Sequence, residues 1–178
     1  TIFPVSGIYS VNSLAIKEGT LLNNAYTADL SNPNQRFLIP NANVDTSTVT
    51  VKVQNSASDS TVVTWADGNS LDVTTISSTH KVYFLQEVEE QKYEIFFGDG
   101  AVGKQLADGN IVYIEYLVTG GVLANKASTF TASGTVAGQT SANYTLTTAV
   151  AATGGAAIES MKSLKNNAPK LYQAQKRS

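Results

Sequence analysis

Alternation with a period of two is what most restricts how this chain can fold. Val49, Val51 and Val53 alternate with Thr48, Thr50, Lys52 and Gln54, and Val62 and Thr64 flank Val63 and Trp65. Tyr93, Ile95 and Phe97 share one side opposite Lys92 and Glu94, while Val112, Ile114, Tyr116 and Val118 form a fourth stripe. Successive side chains of a strand point to opposite faces, so each stripe predicts a half-buried strand. Turn residues separate the stripes: Asp67-Gly68-Asn69, Gly98-Asp99-Gly100, Asp108-Gly109-Asn110 and Gly120-Gly121. Glycine at such points reaches positive φ without a steric penalty. Leu14–Lys17, Ala25–Asp29, Gln35–Ile39, Lys81–Leu85 and Tyr144–Val150 are less regular strand candidates.

The pattern predicts a mainly β fold, an antiparallel β-sandwich or barrel-like domain with extended strands or arms and one short C-terminal helix. Residues 1–127 form the expected main β domain, with 1–45 a candidate for a separate N-terminal β segment. Residues 128–155 are rich in Thr, Ser, Ala and Gly with few large apolar groups, the composition of an arm or edge strands rather than of a core. Residues 156–178 read as a short helix and a basic connector to a missing downstream region. The helix is expected over Ala156–Lys165, where Ile158, Met161 and Leu164 share a stripe. Glu159 near its start and Lys162 and Lys165 near its end suit the helix dipole. Asn166-Asn167 and Pro169 end it.

Composition narrows the chemistry. A chain of 178 residues and 18.8 kDa buries a core without disulfide staples. The absence of cysteine excludes thiol catalysis, thiolate zinc sites and iron–sulfur clusters. With His80 the only histidine, most histidine-based metal or triad chemistry is excluded too. No apolar run approaches the ~18–20 residues of a membrane-spanning helix. The start at Thr1 points to a processed or excised piece of a longer chain. The net charge of −2 divides unevenly: residues 1–161 hold all 14 acids and 7 of the 12 bases, and residues 162–178 hold the other 5 bases and no acid. An acidic body with a basic tail argues against coating of nucleic acid, which needs a basic face on the body itself.

Several short motifs have a functional reading beside a structural one. Gly98-Asp99-Gly100-Ala101-Val102-Gly103-Lys104 fits seven positions of a phosphate-binding loop. Gln105 stands where the magnesium-binding hydroxyl belongs, and the segment lies between two predicted strands, so a hairpin loop is expected. Asp67, Asp72, Asp99 and Asp108 match no calcium-loop spacing and read as turn residues that bond their own backbone. Glu87, Glu89 and Glu90 form an acidic cluster expected at a hairpin end, where it keeps the turn solvated or meets a basic partner. His80, beside Ser78 and Thr79, has no G-x-S-x-G turn to serve and reads as a surface or turn residue. Trp65, Tyr83, Tyr93, Tyr113 and Tyr116 fit cross-strand packing better than a stacking platform. Asn143-Tyr144-Thr145 is a glycosylation pattern only in a eukaryotic secretory route.

A longer ordered set of segments points to a family. It comprises Val82–Glu87, Tyr93–Gly100, Gly103-Lys104, Asp108–Val112, Tyr116, Gly120-Gly121 and Ala124-Asn125. Phe37–Asn41 and Asn43–Val49 precede these, and Ile158–Lys162, Asn166–Pro169 and Gln173–Arg177 follow. Over roughly Glu18 to Arg177 the set resembles the baseplate-J-like family of contractile phage tails, and within it the baseplate wedge proteins of T4-like phages. The resemblance implies a structural subunit of the virion tail baseplate, assembled in the bacterial host cytoplasm, and an internal piece of a longer chain. It further implies a ring around the central hub, built through contacts with other copies of the chain and with other wedge subunits, that rearranges when the sheath contracts. No nucleic acid, membrane or small-molecule substrate is expected as a partner.

The first functional reading is therefore a non-enzymatic virion component, with no catalytic, cofactor-binding or metal-ligating residue and no cofactor. The alternative is a carbohydrate-binding or adhesin-type β-domain of a tail or surface protein, which needs exposed aromatics in a shallow groove. A third reading, a hydrolase built on Glu87, Glu89 and Glu90, needs two converging carboxylates in a pocket.

Overall fold

The computed structural model describes residues 4–5, 8–9, 14–32, 34–136, 138–157 and 165. The chain divides into two units, one of residues 1–15 and 120–178, the other of residues 16–119.

In the first unit, strands β1 (Pro4–Val5) and β2 (Ile8–Tyr9) pair antiparallel. Gly121–Ala124 and Ser141–Asn143 form 3-10 turns, and Val136 and Gln139 make an isolated bridge. Lys126 N–H donates to the Ala152 carbonyl at 2.7 Å and Ala152 N–H to the Ala127 carbonyl at 2.8 Å. Asn125 clasps Gly155, donating to its carbonyl at 2.8 Å and accepting its N–H at 2.9 Å. None of the described residues in 120–157 is fully buried, as expected of a segment so poor in large apolar side chains.

The second unit is a seven-stranded sheet nearly closed into a barrel. Its strands are β3 (Thr20–Thr27), β4 (Phe37–Ile39), β5 (Val44–Gln54), β6 (Val62–Asp67), β7 (Val82–Glu87), β8 (Tyr93–Phe97) and β9 (Ile111–Val118), in the spatial order β3-β9-β5-β6-β7-β8-β4. The predicted stripes fill its interior. Val51 and Val53 of β5, Trp65 of β6, Ile95 of β8 and Val112, Ile114 and Tyr116 of β9 are buried together with Phe37, Ile39 and Tyr83. Each fully buried aliphatic side chain of this kind contributes about 1.5–3 kcal/mol relative to exposure.

Two devices bend the sheet. Between Asp45↔Leu117 and Thr50↔Glu115, β5 advances five residues against two on β9. The extra length loops out as an Asx turn, in which Asp45 Oδ1 accepts Ser47 N–H at 3.0 Å; Thr48 Oγ1 then accepts Leu117 N–H at 3.0 Å. Such bulges kink a strand and raise its local twist. The second device is the β6–β7 pair, which is parallel and meets only at Ala66↔Val82 and Asp67↔Tyr83. A parallel pair requires a crossover, here residues 68–81 with 3-10 turns at Gly68–Ser70 and Val73–Thr75. The sheet is thus mixed, not wholly antiparallel as the sequence predicts.

The barrel seam lies between the two edge strands. The Tyr26 ring packs edge-on against Phe37, centroids 5.7 Å apart, and its hydroxyl donates to the Leu38 carbonyl. Gln35 ties the same end, donating to the Thr27 carbonyl at 2.9 Å and accepting Asp29 N–H at 2.8 Å. Among the weaker strand candidates, Ala25–Asp29, Gln35–Ile39 and Lys81–Leu85 overlap β3, β4 and β7, whereas Leu14–Lys17 and Tyr144–Val150 are not strands. Strand-like composition needs a ladder partner, and neither segment has one among the described residues. Of the expected helix, Ile158–Leu164 lies outside the described residues, Ala156 and Ala157 have no regular structure, and Lys165 is helical.

Candidate functional site

The motifs singled out in the sequence are absorbed by the loops that cap the barrel. In the loop between β8 and β9, Asp99 Oδ1 accepts the N–H groups of Ala101 at 2.9 Å and Val102 at 3.0 Å. Gly100 N–H goes to the Gly103 carbonyl, Gly103 N–H to Ser77 and Lys104 N–H to His80. Every main-chain donor from Gly100 to Lys104 is spent inside the protein, so the loop has the spelling of a phosphate cradle without its N–H groups. It is also packed tight. A Cβ on Gly98 would fall 2.4 Å from the Gly103 and Val102 backbone, and one on Gly103, where φ is +80°, would fall 2.8 Å from Val82.

The aspartates behave alike. Asp67 caps Asn69 N–H, Asp72 caps Thr74 N–H and Asp59 caps Thr61 N–H, each at 2.9 Å, and Asp108 accepts Leu30 N–H at 3.1 Å. Hydrogen bonds from Asn55 and Thr61 hold the Asp59 carboxyl down to about 2. The backbone N–H of Thr74 lowers Asp72, and that of Ala101 lowers Asp99. Among the described residues no group of acids or His80 is arranged to hold a metal ion.

Glu87, Glu89 and Glu90 sit at the end of the β7–β8 hairpin, as expected. Glu90 pairs with Lys92 at 2.7 Å, and Glu90 and Gln91 both take left-handed backbone conformations, with φ of 59° and 61°. Glu87 lies opposite Tyr93 in the ladder. His80 is exposed, and its Nδ1 accepts Ser77 N–H at 3.3 Å; no hydroxyl among the described residues bonds its ring. Trp65 is only 6% exposed and meets Phe97 edge-to-face at 5.1 Å. Tyr83 and Tyr116 are buried as well. Burial, helped by the charge of Asp67, pushes Tyr83 up to about 12.

Sequence reasoning missed one arrangement. On the outer face of the barrel Phe84 and Phe96, directly paired across β7 and β8, stack with centroids 5.3 Å apart. The Arg36 guanidinium lies 4.7 Å from the Phe96 ring centre and pairs with Glu94 at 2.5 Å. Gly68 lies against Phe84, where a Cβ would approach the ring to 2.6 Å. These rings floor a shallow groove of about 440 Å3 rimmed by Asn34, Gln35, Asp99 and Val102. The signal was the alternation of Phe84 and Phe96 with the inward-facing Tyr83, Ile95 and Phe97, but only strand register shows that the two rings meet.

The geometry is that of a nearly closed β barrel whose loop aspartates are occupied in capping backbone N–H groups. Residues 25–132 match the family described as bacteriophage baseplate wedge protein gp6, third domain. The chain belongs to this family. The matched range begins inside β3 and takes in the rest of the barrel. A baseplate wedge domain of a phage virion is a structural component, which agrees with polar groups committed to architecture. A comparison with curated proteins finds no match. No helix among the described residues is long and apolar enough to cross a membrane.

Proposed function

We propose that this wedge domain is a non-enzymatic subunit that assembles by protein–protein contacts into the ring around the central hub of a contractile phage tail baseplate. Its partners are other copies of the same chain and other baseplate wedge subunits, met during assembly in the host cytoplasm. The observation that carries this reading is the family match over residues 25–132, which overlies the barrel. The loops support it: the aspartates, His80 and the phosphate-loop look-alike are tied into turns and do not converge on a shared point. The barrel and the loosely packed 128–155 segment divide the work, one supplying a rigid body and the other extended surface for neighbours.

The test is reconstitution of the chain with the other wedge proteins of the same phage. Co-migration in a complex of defined stoichiometry by native mass spectrometry is the expected result. A chain that stays monomeric in the presence of every wedge protein sinks the proposal.

A further inference from the structure

We propose that the groove over Phe84 and Phe96 docks a segment of another baseplate protein, one that carries an aliphatic or aromatic side chain with a lysine or arginine within three residues of it. The inference rests on the reading above, in which the domain assembles through protein–protein contacts.

The groove is floored by a row of side chains on the outer face of β7 and β8. Gly68 packs on the Phe84 ring, Phe84 stacks on Phe96, and the Arg36 guanidinium lies 4.7 Å from the Phe96 ring centre. The ring faces are thus spent on one another. A flat ligand such as a nucleobase needs an open aromatic face to stack on. This row offers ring edges instead, whose positive rim suits the face of an aromatic side chain or an aliphatic one. Val102, 39% exposed, adds apolar surface at the rim. The volume of about 440 Å3 lies at the small end of the ~300–1,000 Å3 that ligand pockets span, enough for an anchoring side chain and its neighbours. Paired aromatics beside an arginine are also the composition that carries binding energy at protein interfaces.

Charge selects the occupant. Arg36 is neutralised by Glu94, which it meets at 2.5 Å, with Gln86 alongside at 3.3 Å. Asp99 is not neutralised: among the described residues no lysine or arginine stands within ion-pair distance of it. Its Oδ1 accepts the N–H groups of Ala101 and Val102, which hold the carboxyl in its ionised form. The rim therefore carries one uncompensated negative charge, on a unit of residues 16–119 that holds 13 acids and 6 bases, a net of −7. The complementary partner is cationic. Phe96 and Asp99 are three residues apart, at most ~10 Å along the chain, so the partner's cation lies within three residues of its anchor.

The test places the photo-reactive residue p-benzoylphenylalanine at Val102 in one full-length chain and at Asn34, on the opposite rim, in a second. Each is assembled with the other wedge proteins of the same phage, irradiated and digested, and the linked peptide is sequenced by mass spectrometry. The expected product is a peptide of another baseplate protein with an aliphatic or aromatic residue and a lysine or arginine within three positions of it. A link to a second copy of this chain, or to a peptide without that cation, overturns the proposal. Asp99→Asn keeps the Oδ1 cap and removes the charge, and is expected to weaken binding of the linked partner roughly fivefold. Changing the partner's lysine or arginine to glutamine costs the same, and the two changes together cost no more than one. Additive losses overturn the pairing. Val102→Lys, which sets a cation on the rim, is expected to weaken binding roughly tenfold, and an unchanged affinity counts against the site. If neither position cross-links while the chain still joins the other wedge proteins, the docking site fails and the assembly reading stands.

Discussion

Tyr116 donates its phenolic proton to Asn41 Oδ1 at 2.6 Å from a side chain wholly shielded from solvent. The phenolic oxygen of Tyr116 in turn accepts from Asn24 Nδ2 at 2.9 Å. Asn24 belongs to β3 and Asn41 follows β4, so one phenol on β9 joins the two edges of the sheet at the end away from Tyr26. Tyr116→Phe keeps the ring and strands both amides, which is expected to cost about 1–2 kcal/mol. Urea unfolding checks this; an unchanged midpoint would mean that the phenol contributes nothing to closure.

Gly98→Ala drives a methyl group into the Gly103 and Val102 backbone at 2.4 Å, where no side chain can rotate away. Overpacking of this kind costs about 1–3 kcal/mol. Faster amide exchange across 98–104 with normal protection in β9 is the expected signature, whereas Gly109→Ala meets no atom within 4 Å and is opposed instead by the backbone, at φ of +74°.

Acid lowers stability through the Asx turns. Asp59 is held to about 2 by Asn55 and Thr61, and Asp72 and Asp99 are lowered by backbone N–H groups. A carboxyl depressed in the folded state contributes stability above its unfolded pKa and loses it as pH falls through the folded value. The melting temperature should therefore hold above pH ~4 and fall between ~4 and ~2. Carboxyl carbon titration by NMR gives the site-specific check: an Asp59 midpoint near the ordinary value removes the explanation.

Hydrogen exchange should separate the chain into two classes. Amides of Val112, Ile114 and Tyr116, in a strand paired on both sides, are expected to exchange only on global unfolding. Amides of 144–150, without main-chain bonds among the described residues, are expected to exchange nearly as fast as an unfolded peptide in the unassembled chain. Equal protection in the two regions would show that the segment already has a partner.

Phe37→Ala is expected to cost about 3–5 kcal/mol, because Phe37 is buried between the rings of Tyr26 and Phe97 and its loss empties both sides of the seam. Phe84→Ala, on the outer face, should cost less. Comparing the two in thermal melts tests whether the interior set or the outer stack holds the barrel.

The stripes Val51 and Val53, Ile95 and Phe97, and Val112, Ile114 and Tyr116 were legible because alternation is local: two-residue periodicity alone separates the buried face from the exposed one. The Asx turns were legible for the same reason, since Asp72 and Thr74 or Asp99 and Ala101 interact within a few residues. The Phe84–Phe96–Arg36 stack was not, because its members come from three separate segments that meet only through register.

Local chemistry alone thus determined which residues face inward, where the chain turns and which look-alike motifs build turns. Only the tertiary structure decided that β6 and β7 run parallel, that Tyr26 and Tyr116 draw the sheet edges together, and that Tyr144–Val150 has no ladder partner among the described residues. The physical reason is that a strand exists through its neighbour. Its side-chain pattern is written in consecutive residues, but its hydrogen bonds belong to partners far away in the chain or outside it.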